Sequence, residues 1–518
     1  MTARVTAGAM MGWQASAPPR LLSLALGLAL AHAGPTHAHP LDDCRCSALR
    51  PHVRGDLTCD VAAYDFSWGN KICAGILPEC VLRPRDAQDV AAAVLFARRA
   101  SLDLSYRSGG HSYTCNSIKP HSVHLDLRSL RSVALRPATS GAGTELVLGP
   151  GNTQADLLDA LAEGQMIVHG QCPGVGAGGL FLHGGYHTTL TLKYGRGNDT
   201  VTALEVVTAD GVVRQLDDLH PHDGLWQAMR QAGSSFAIAT RIVVKVIDDF
   251  PADVPLDLPR VALLDLLDNA SHTAGLPGYF HVNGVDLLAV SASREWENNK
   301  AWLEEAIGRK LSWGETARSK LMATGSAHMS RQLGANKRFG NSGEIPYSVS
   351  SQDAYATVTF AMAMECYTPE MKAVLADVPE HRDPDTDLGC YLQITSTYLE
   401  GMVMVDFNCA YDSAFYQAEQ RKLNQRILAL CPKVERYYNT PSSFLGARDY
   451  FPNYDELAAI KARWDPEEVF RVYQGIRPTG LPPDTYEFSR PYTRTRSVSD
   501  WLHEKMWDVL ARTVLNNK

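Results

Sequence analysis

Apolar runs of strand length alternate with helix-spaced stripes through the first half of the chain. Cys80-Val-Leu82 is a short apolar run broken by Arg83-Pro-Arg-Asp86. Asp86, followed three residues later by Asp89, fits a helix N-cap with an acid in the first turn. Val90, Ala93, Val94 and Ala97 then share one face of a helix that reaches Ala100. Leu102–Tyr106 alternates as a strand, and His124–Leu127 and Glu145–Leu148 are further short strands. Thr153 opens a second helix with the apolar stripe Leu157, Leu158 and Leu161, and Gly164 is its expected stop. Val201–Val207 and Val212–Leu216 flank Ala209-Asp-Gly211, a hairpin signal, and Arg241–Ile247 is another strand.

The texture changes at Asp249-Phe-Pro-Ala-Asp-Val-Pro255, where a boundary is expected. Beyond it, helical stretches near 295–324 and 412–430 enclose the strand-like runs Ala354–Met364, Tyr391–Thr395 and Met402–Asn408, the pattern of an α+β domain. Tyr454–Trp464 is helical, with Leu457, Ile460 and Lys461 in spacing, and Asp465-Pro466 stops it. Ser497–Asn517 reads as an amphipathic tail helix with Trp501, Met506, Val509 and Leu510 inward.

Composition narrows the class. A chain of 518 residues exceeds one hydrophobic core, and 45% apolar with 20% charged residues excludes disorder, collagen and a coiled coil. The net charge of -8, from 49 basic and 57 acidic residues, offers no footprint for nucleic acid. Residues 1–20 carry Arg4 and Arg20 and no acid, and the apolar run Leu21–Ala31 is too short to span a bilayer. Small-residue sites follow at Ala31-His-Ala33 and Thr36-His-Ala38, so residues 1–38 read as a secretory signal peptide, an uncleaved anchor being the alternative. No later run has the length of a spanning helix, so no membrane is expected for the mature form, which would be secreted or periplasmic. Export would place the 11 cysteines where they can pair, and the odd count leaves one over. Cys44, Cys46, Cys59, Cys73 and Cys80 crowd together without zinc-ribbon spacing, so disulfides rather than a metal are expected. Asn198-Asp-Thr200 and Asn269-Ala-Ser271 are glycosylation sequons.

Two glycine-bearing segments carry the candidate chemistry. In Tyr106-Arg-Ser-Gly-Gly-His-Ser-Tyr113 a strand runs into Gly109 and Gly110, where backbone can approach a ligand, and then His111. The second, Val168–Tyr186, holds Gly170, Gly174, Gly176, Gly178, Gly179, Gly184 and Gly185, too many for a regular element. Its Gly174-x-Gly176-x-x-Gly179 matches the dinucleotide fingerprint, and Asp199 follows at the expected distance. Pro173 and the Gly/His/Thr-rich continuation argue against a Rossmann turn and for a glycine wall facing a flat or phosphorylated ligand. Cys172, before that proline, is suited to reactivity rather than to a structural disulfide.

These segments resemble the FAD-linked oxidases of the berberine-bridge-enzyme and oligosaccharide-oxidase type, which have the vanillyl-alcohol-oxidase fold. The resemblance spans roughly residues 60–247 and 435–480, and includes Gly233-Ser-Ser-Phe-Ala-Ile-Ala239, Asn453-Tyr-Asp-Glu-Leu457 and Gln474-Gly-Ile476. It implies an α+β, two-domain fold: a discontinuous FAD-binding domain at 39–249 and 436–485, an inserted substrate domain at 250–435 built on an antiparallel sheet with helices, and a tail at 486–518. It implies covalent attachment of FAD through His111 and Cys172. Arg107, Ser108, Gly109, Gly110, Ser112, Gly170, Val175, Gly176, Gly178, Gly179, Gly184, Gly185, Tyr186, Phe236, Ile238 and Gln474 would surround the cofactor. Two covalent anchors would withdraw electron density from the ring and favour hydride abstraction. Small Val175, in the position that gates oxygen, implies an oxidase.

Two departures matter. Leu180 stands where the family has a histidine, with His183 or His187 as possible replacements. Alcohol oxidation needs a base, and the second tyrosine of the family's Tyr-x-Asn-Tyr pattern is here Thr440. Tyr437 and Tyr438 are therefore the expected catalytic residues, with Tyr450 and Glu400 as substitutes, and Tyr113 and Gln393 would touch substrate. The expectation is a secreted oxidase taking hydride from a sugar or other alcohol and giving hydrogen peroxide from molecular oxygen. Oxidation of an alkaloid or other secondary metabolite is the alternative, and a non-catalytic flavin-bound protein the second.

Overall fold

The computed structural model describes residues 44–481, except 67–72, 74, 163, 171–173, 187–190, 249–354, 377–389, 396–401, 411–413 and 443. The expected signal peptide, the expected helices near 295–324 and 497–517, the sequon at Asn269, Glu400 and His187 lie outside the described residues.

A mixed sheet comes first. β1 (Asp56–Thr58), β2 (Cys80–Arg83), β3 (Asp103–Arg107) and β4 (Ser122–Asp126) stand in the order β1-β2-β4-β3. β2 and β3 both run parallel to β4, which demands a crossover between them. Helix α1 (Ala87–Ala100) supplies it. Asp86 caps α1 as expected, accepting from the Gln88 and Asp89 amides. Val90, Ala93, Val94 and Ala97 are buried against Leu82, Leu104 and Leu125.

The second sheet is antiparallel: β5 (Val133–Pro137), β6 (Thr144–Leu148), β7 (Val201–Val207), β8 (Val213–Leu216) and β9 (Ile238–Lys245), in the order β5-β6-β9-β7-β8. Gly211, at φ +74°, turns the β7–β8 hairpin. β9 begins three residues before the expected Arg241. Helix α2 (Gln154–Asp159) starts in a capping box between Thr153 and Asp156. It stops at Asp159, short of Gly164. Leu161 and Gln165 bond back only three residues, and the Gln165 amide oxygen takes the Ala162 N–H, so the chain tightens into turns before the glycine.

The glycine-rich segment was expected to lack regular structure, and here the expectation fails. Residues Ala177–Leu182 form helix α3. Ala177 N–H bonds to Asn152 O at 2.9 Å and Gly178 N–H to Ser108 Oγ at 3.2 Å. Leu180, Phe181 and Leu182 are buried, so packing outweighs the entropy of two helical glycines. Helix α4 (Leu225–Ala232) packs against α3 and leads into the loop before β9.

The third sheet joins β10 (Tyr355–Ala363), β11 (Cys390–Thr395), β12 (Met402–Ala410) and β13 (Val434–Glu435) in the order β11-β12-β10-β13, all antiparallel. Alternation gives it two faces. Val358, Phe360, Met362, Val405 and Phe407 are buried in the same core as Met371 and Leu375 of helix α5 (Pro369–Ala376) and Leu423 and Ile427 of α6 (Ala414–Leu430). Thr359, Ala361, Met404 and Asp406 belong to the other face. Helix α7 (Tyr454–Trp464) packs against α4. Its buried Lys461 ammonium bonds to Asp465, to Ser235 O at 2.5 Å and to Phe470 O at 3.1 Å.

Among the described residues four disulfides are present: Cys44–Cys59, Cys46–Cys80, Cys73–Cys115 and Cys366–Cys431. Asn198 is half-buried and its amide donates to Arg230 O at 2.7 Å.

Candidate active site

The two glycine segments meet through bare backbone. A Cβ on Gly109 would lie 2.9 Å from the Gly176 Cα, and one on Gly176 would lie 2.8 Å from the Gly109 Cα. Ser108 locks the meeting point, donating to Pro150 O at 2.5 Å and accepting from Gly178 N. Beside it is a cavity of about 340 Å³. Ser108, Gly109, Gly110, His111, Ser112 and Tyr113 form one side of it. Gly170, Val175, Gly176, Gly178 and Gly179 form the next. A Cβ on Gly179 would meet nothing within 4 Å, so that glycine opens onto the cavity. Tyr186, Tyr437 and Tyr438 complete the expected lining.

Other expected residues stand behind this wall. Arg107 is buried 3.8 Å from Asp126. Gly184, at φ +134°, and Gly185, at φ +91°, pack against Tyr437, Leu180 and Gly197 rather than the cavity. Phe236 and Ile238 are in the core; their neighbours Ser234, Ala237 and Ala239 line the cavity instead, because alternation turns Ile238 away. Gln474, at φ +56°, is buried, donating to Ser442 O and Leu445 O, and so fastens the loop behind the wall. Cys172 lies outside the described residues. Gln393 stands opposite Asp406 in the register of β11 and β12.

The two expected tyrosine bases have their hydroxyls engaged. The Tyr437 hydroxyl accepts from Gly185 N–H and from the Asn439 amide, both at 3.1 Å. Burial pushes its pKa up, opposite to what a base requires. The Tyr438 hydroxyl donates to Tyr473 O at 3.1 Å and accepts from the Asn116 amide at 3.3 Å. Tyr450 is buried, its hydroxyl accepting from Ser442 N–H at 2.6 Å, and burial raises its pKa strongly.

His111 is half-buried, and burial, with the Arg107 charge adding to it, lowers its pKa to about 4. It therefore presents a neutral ring with a lone pair at neutral pH. His183 also lines the cavity, accepting at Nε2 from Ser234 N–H at 3.1 Å. Burial brings it likewise to about 4. This histidine, three residues beyond Leu180, brings an imidazole to the cavity that Leu180 itself cannot supply.

Sequence reasoning missed Asp406. It lines the cavity from β12, and its carboxylate accepts from Thr359 Oγ at 2.6 Å. Thr359 Oγ is in turn 2.8 Å from Thr440 Oγ. Burial raises the Asp406 pKa to about 6, with the Thr359 hydrogen bond opposing the rise. The available signal was a single acid within the apolar strand Met402-Val-Met-Val-Asp-Phe407.

An FAD group fits these residues. Open space adjoins Gly179, the backbone of Gly109 and Gly176 lines the same cavity, and the neutral His111 ring borders it.

Comparison with known proteins agrees. Residues 78–217 match the FAD binding domain family, and residues 436–477 match the berberine and berberine-like family. FAD-linked oxidoreductase easE of Arthroderma benhamiae is 31% identical over 475 residues, covering 79% of this chain and 90% of that protein. The match to easE of Arthroderma otae is 32% identical but spans 37% of that protein. (R)-6-hydroxynicotine oxidase of Paenarthrobacter nicotinovorans is 33% identical over 203 residues, covering 39% of this chain and 41% of that protein. Among solved structures, Physcomitrella patens BBE-like 1 superposes with a TM-score of 0.60 at 15% identity, covering 84% of this chain and 99% of that one. The xylooligosaccharide oxidase of Myceliophthora thermophila with bound xylobiose gives 0.58 at 18% identity, covering 84% and 99%. The fold is thus the vanillyl-alcohol-oxidase type, with mixed helices and antiparallel sheets.

Proposed function

The chain belongs to the berberine-bridge-enzyme-like FAD-linked oxidoreductases, and from that premise we propose that it is a secreted oxidase that removes hydride from a small-molecule alcohol and returns the electrons to oxygen as hydrogen peroxide. The observation that carries this reading is a single cavity with the glycine arms and His111 on one side and Met404 and Asp406 of the third sheet on the other. Residues suited to holding a cofactor and residues suited to meeting a substrate face the same space.

Bound FAD would supply the two-electron chemistry. His111 and Cys172 would fix it covalently, and Gly179 would let backbone approach it. Val175 leaves steric room for oxygen beside this wall. The residues of the third sheet hold and orient the substrate, and Leu180 and Met404 exclude water from the reacting carbon. The disulfides support export.

A second reading is oxidation of a heterocyclic secondary metabolite rather than a sugar. The lining favours it, being rich in Leu180, Leu182, Met404, Tyr186 and Tyr437, with neither Lys nor Arg among the described lining residues. The resemblance to a hydroxynicotine oxidase points the same way.

The test is a panel of sugars, aromatic alcohols and heterocyclic amines, scored for peroxide and oxygen uptake. Peroxide with an alcohol supports the first reading. Peroxide confined to amines supports the second. Dye reduction without oxygen uptake for every substrate would remove the oxidase. Yellow colour that stays with acid-precipitated protein, and is lost only when both His111 and Cys172 are replaced, supports the double attachment.

A further inference from the structure

We propose that Asp406 is the proton acceptor of the reaction, taking the proton from the substrate's oxygen or nitrogen while hydride leaves the neighbouring carbon. Thr359 and Thr440 would be positioning residues for its carboxylate. The inference deepens the oxidase reading and rests on it.

The geometry is specific. Asp406 and Met404, two residues apart on β12, both line the cavity, and Thr359 stands opposite Asp406 in the register of β10 and β12. The Thr359 hydroxyl spends its one proton on the carboxylate. The 2.8 Å contact with Thr440 is then a bond donated by Thr440, whose hydroxyl shares its proton with the more distant Tyr437 carbonyl at 3.2 Å. The two hydroxyls form a chain ending on the carboxylate, which keeps further lone pairs for a substrate donor.

A structural role alone does not account for an acid here. Asparagine would accept the same Thr359 bond without the desolvation of a charge. No salt bridge to Asp406 occurs among the described residues. The groups that share its cavity are neutral near pH 7. On the segment after β13 these are Tyr437, held protonated by burial, with Asn439 and Thr440. On the glycine side they are His111 and His183, both titrating near 4, and Tyr186, raised by burial. Gln393 is the register neighbour from β11. Arg436 lies on the opposite face of β10, over the Phe360 ring, donating to the Thr359 carbonyl. A carboxylate titrating near 6 in such a lining is half-poised to accept a proton at working pH.

The step balances. The substrate C–H bond breaks with its electron pair going to bound FAD, the O–H bond breaks with its proton going to Asp406, and a C=O bond forms. The substrate loses two electrons and dioxygen gains them. The hydrogen from carbon and the proton from Asp406 leave in hydrogen peroxide, which restores the carboxylate.

The test uses holoprotein of the wild type, Asp406→Asn, Thr359→Val and Thr440→Val, each checked for flavin absorbance as a measure of folding. Infrared difference spectra between pH 5 and 8 should show one carboxyl titrating near 6. That signal should vanish in Asp406→Asn and move to higher pH in Thr359→Val, which loses the opposing hydrogen bond. The acid limb of kcat/KM, measured with the panel substrate giving most peroxide, should follow the same midpoints. Asp406→Asn should lose about 100- to 10,000-fold in kcat/KM. Flavin-replete Asp406→Asn with activity and acid limb unchanged overturns the assignment while leaving the oxidase intact. Absence of the titrating carboxyl overturns it whatever the activity. Wild type that turns over no panel member sinks the oxidase reading, and the assignment with it.

Discussion

Replacing two neighbouring glycines by alanine should separate support of the fold from room for the cofactor. At Gly176 the new Cβ would sit 2.8 Å from the Gly109 Cα and closer still to Ser108 Oγ. Ordinary contact between such atoms begins near 3.4 Å, so the two arms must part by about half an ångström or more, and backbone cannot rotate aside as a side chain can. Overpacking of this kind costs about 1–3 kcal/mol. Gly176→Ala should therefore lower thermal stability with or without FAD. At Gly179 the new Cβ meets nothing of the protein within 4 Å, and the residue lies inside α3. Alanine there should raise the stability of the FAD-free protein by up to ~1 kcal/mol through helix propensity. The same methyl enters the cavity and, in a His111→Ala/Cys172→Ala background where flavin is held without covalent bonds, should weaken FAD retention by roughly 5- to 150-fold, taking the same 1–3 kcal/mol overpacking range. The assay is thermal unfolding of FAD-free and FAD-loaded protein, beside flavin content after gel filtration in the His111→Ala/Cys172→Ala background. Full flavin content with unchanged affinity in Gly179→Ala would refute the assignment of that open space to the cofactor. An unchanged melting temperature in Gly176→Ala would refute the contact between the arms.

Three further outcomes are expected. Lys461→Met strands Asp465 as a buried charge, so urea unfolding should show a loss of about 3–5 kcal/mol, partly recovered by adding Asp465→Asn. Burial alone would raise the Asp126 pKa, but hydrogen bonds from Arg128 and Tyr64 and the Arg107 charge hold it at about 2. Its folded value lies below its unfolded one, so its contribution, roughly 2–3 kcal/mol, should be complete above pH ~4 and drain away as pH falls towards 2; Asp126→Asn should flatten that part of the stability–pH curve, and an unaltered slope would contradict it. Alkylation of denatured, unreduced holoprotein should label none of the 11 cysteines: the four disulfides use eight, Cys390 and Cys409 stand opposite in register, and Cys172 would be bonded to flavin, so labelled Cys172 in peptide mapping would contradict that attachment.

Local signals in the sequence were strong wherever one residue decides the outcome. The Asp86 cap, the Thr153 capping box, the Gly211 hairpin and the stop of α7 at Asp465 depend on neighbours a few positions away. The stop of α2 depended on Gln165, a side chain taking an amide that the helix would have used. Helix α3 was hidden because its glycines argue against it, and only Ser108, far along the chain, makes them useful. The resemblance located both glycine arms, yet Phe236, Ile238 and Gln474 proved to be supports behind the cavity wall. The tyrosine expectation met information that only packing supplies: the hydroxyls of Tyr437 and Tyr438 already have partners in Gly185, Asn439, Asn116 and Tyr473. Asp406 was in plain sight as an acid among methionines and valines. Its meaning needed the strand register that sets Thr359 across from it.

The bond between Asn116 and Tyr438 joins residues more than 300 positions apart, and Lys461 reaches back to Ser235 in the same way. A ribosome therefore releases both glycine arms long before the pieces that enclose them. Until roughly residues 434–477 emerge, the pocket has no lid of tyrosines and no lysine pin, so early FAD could dock only on an open surface. Cofactor capture is consequently a late event in the life of each molecule, tied to completion of translation. Nascent chains arrested before Tyr437 should be colourless, and those whose residues through Gln474 have left the ribosome should be the first able to keep the yellow.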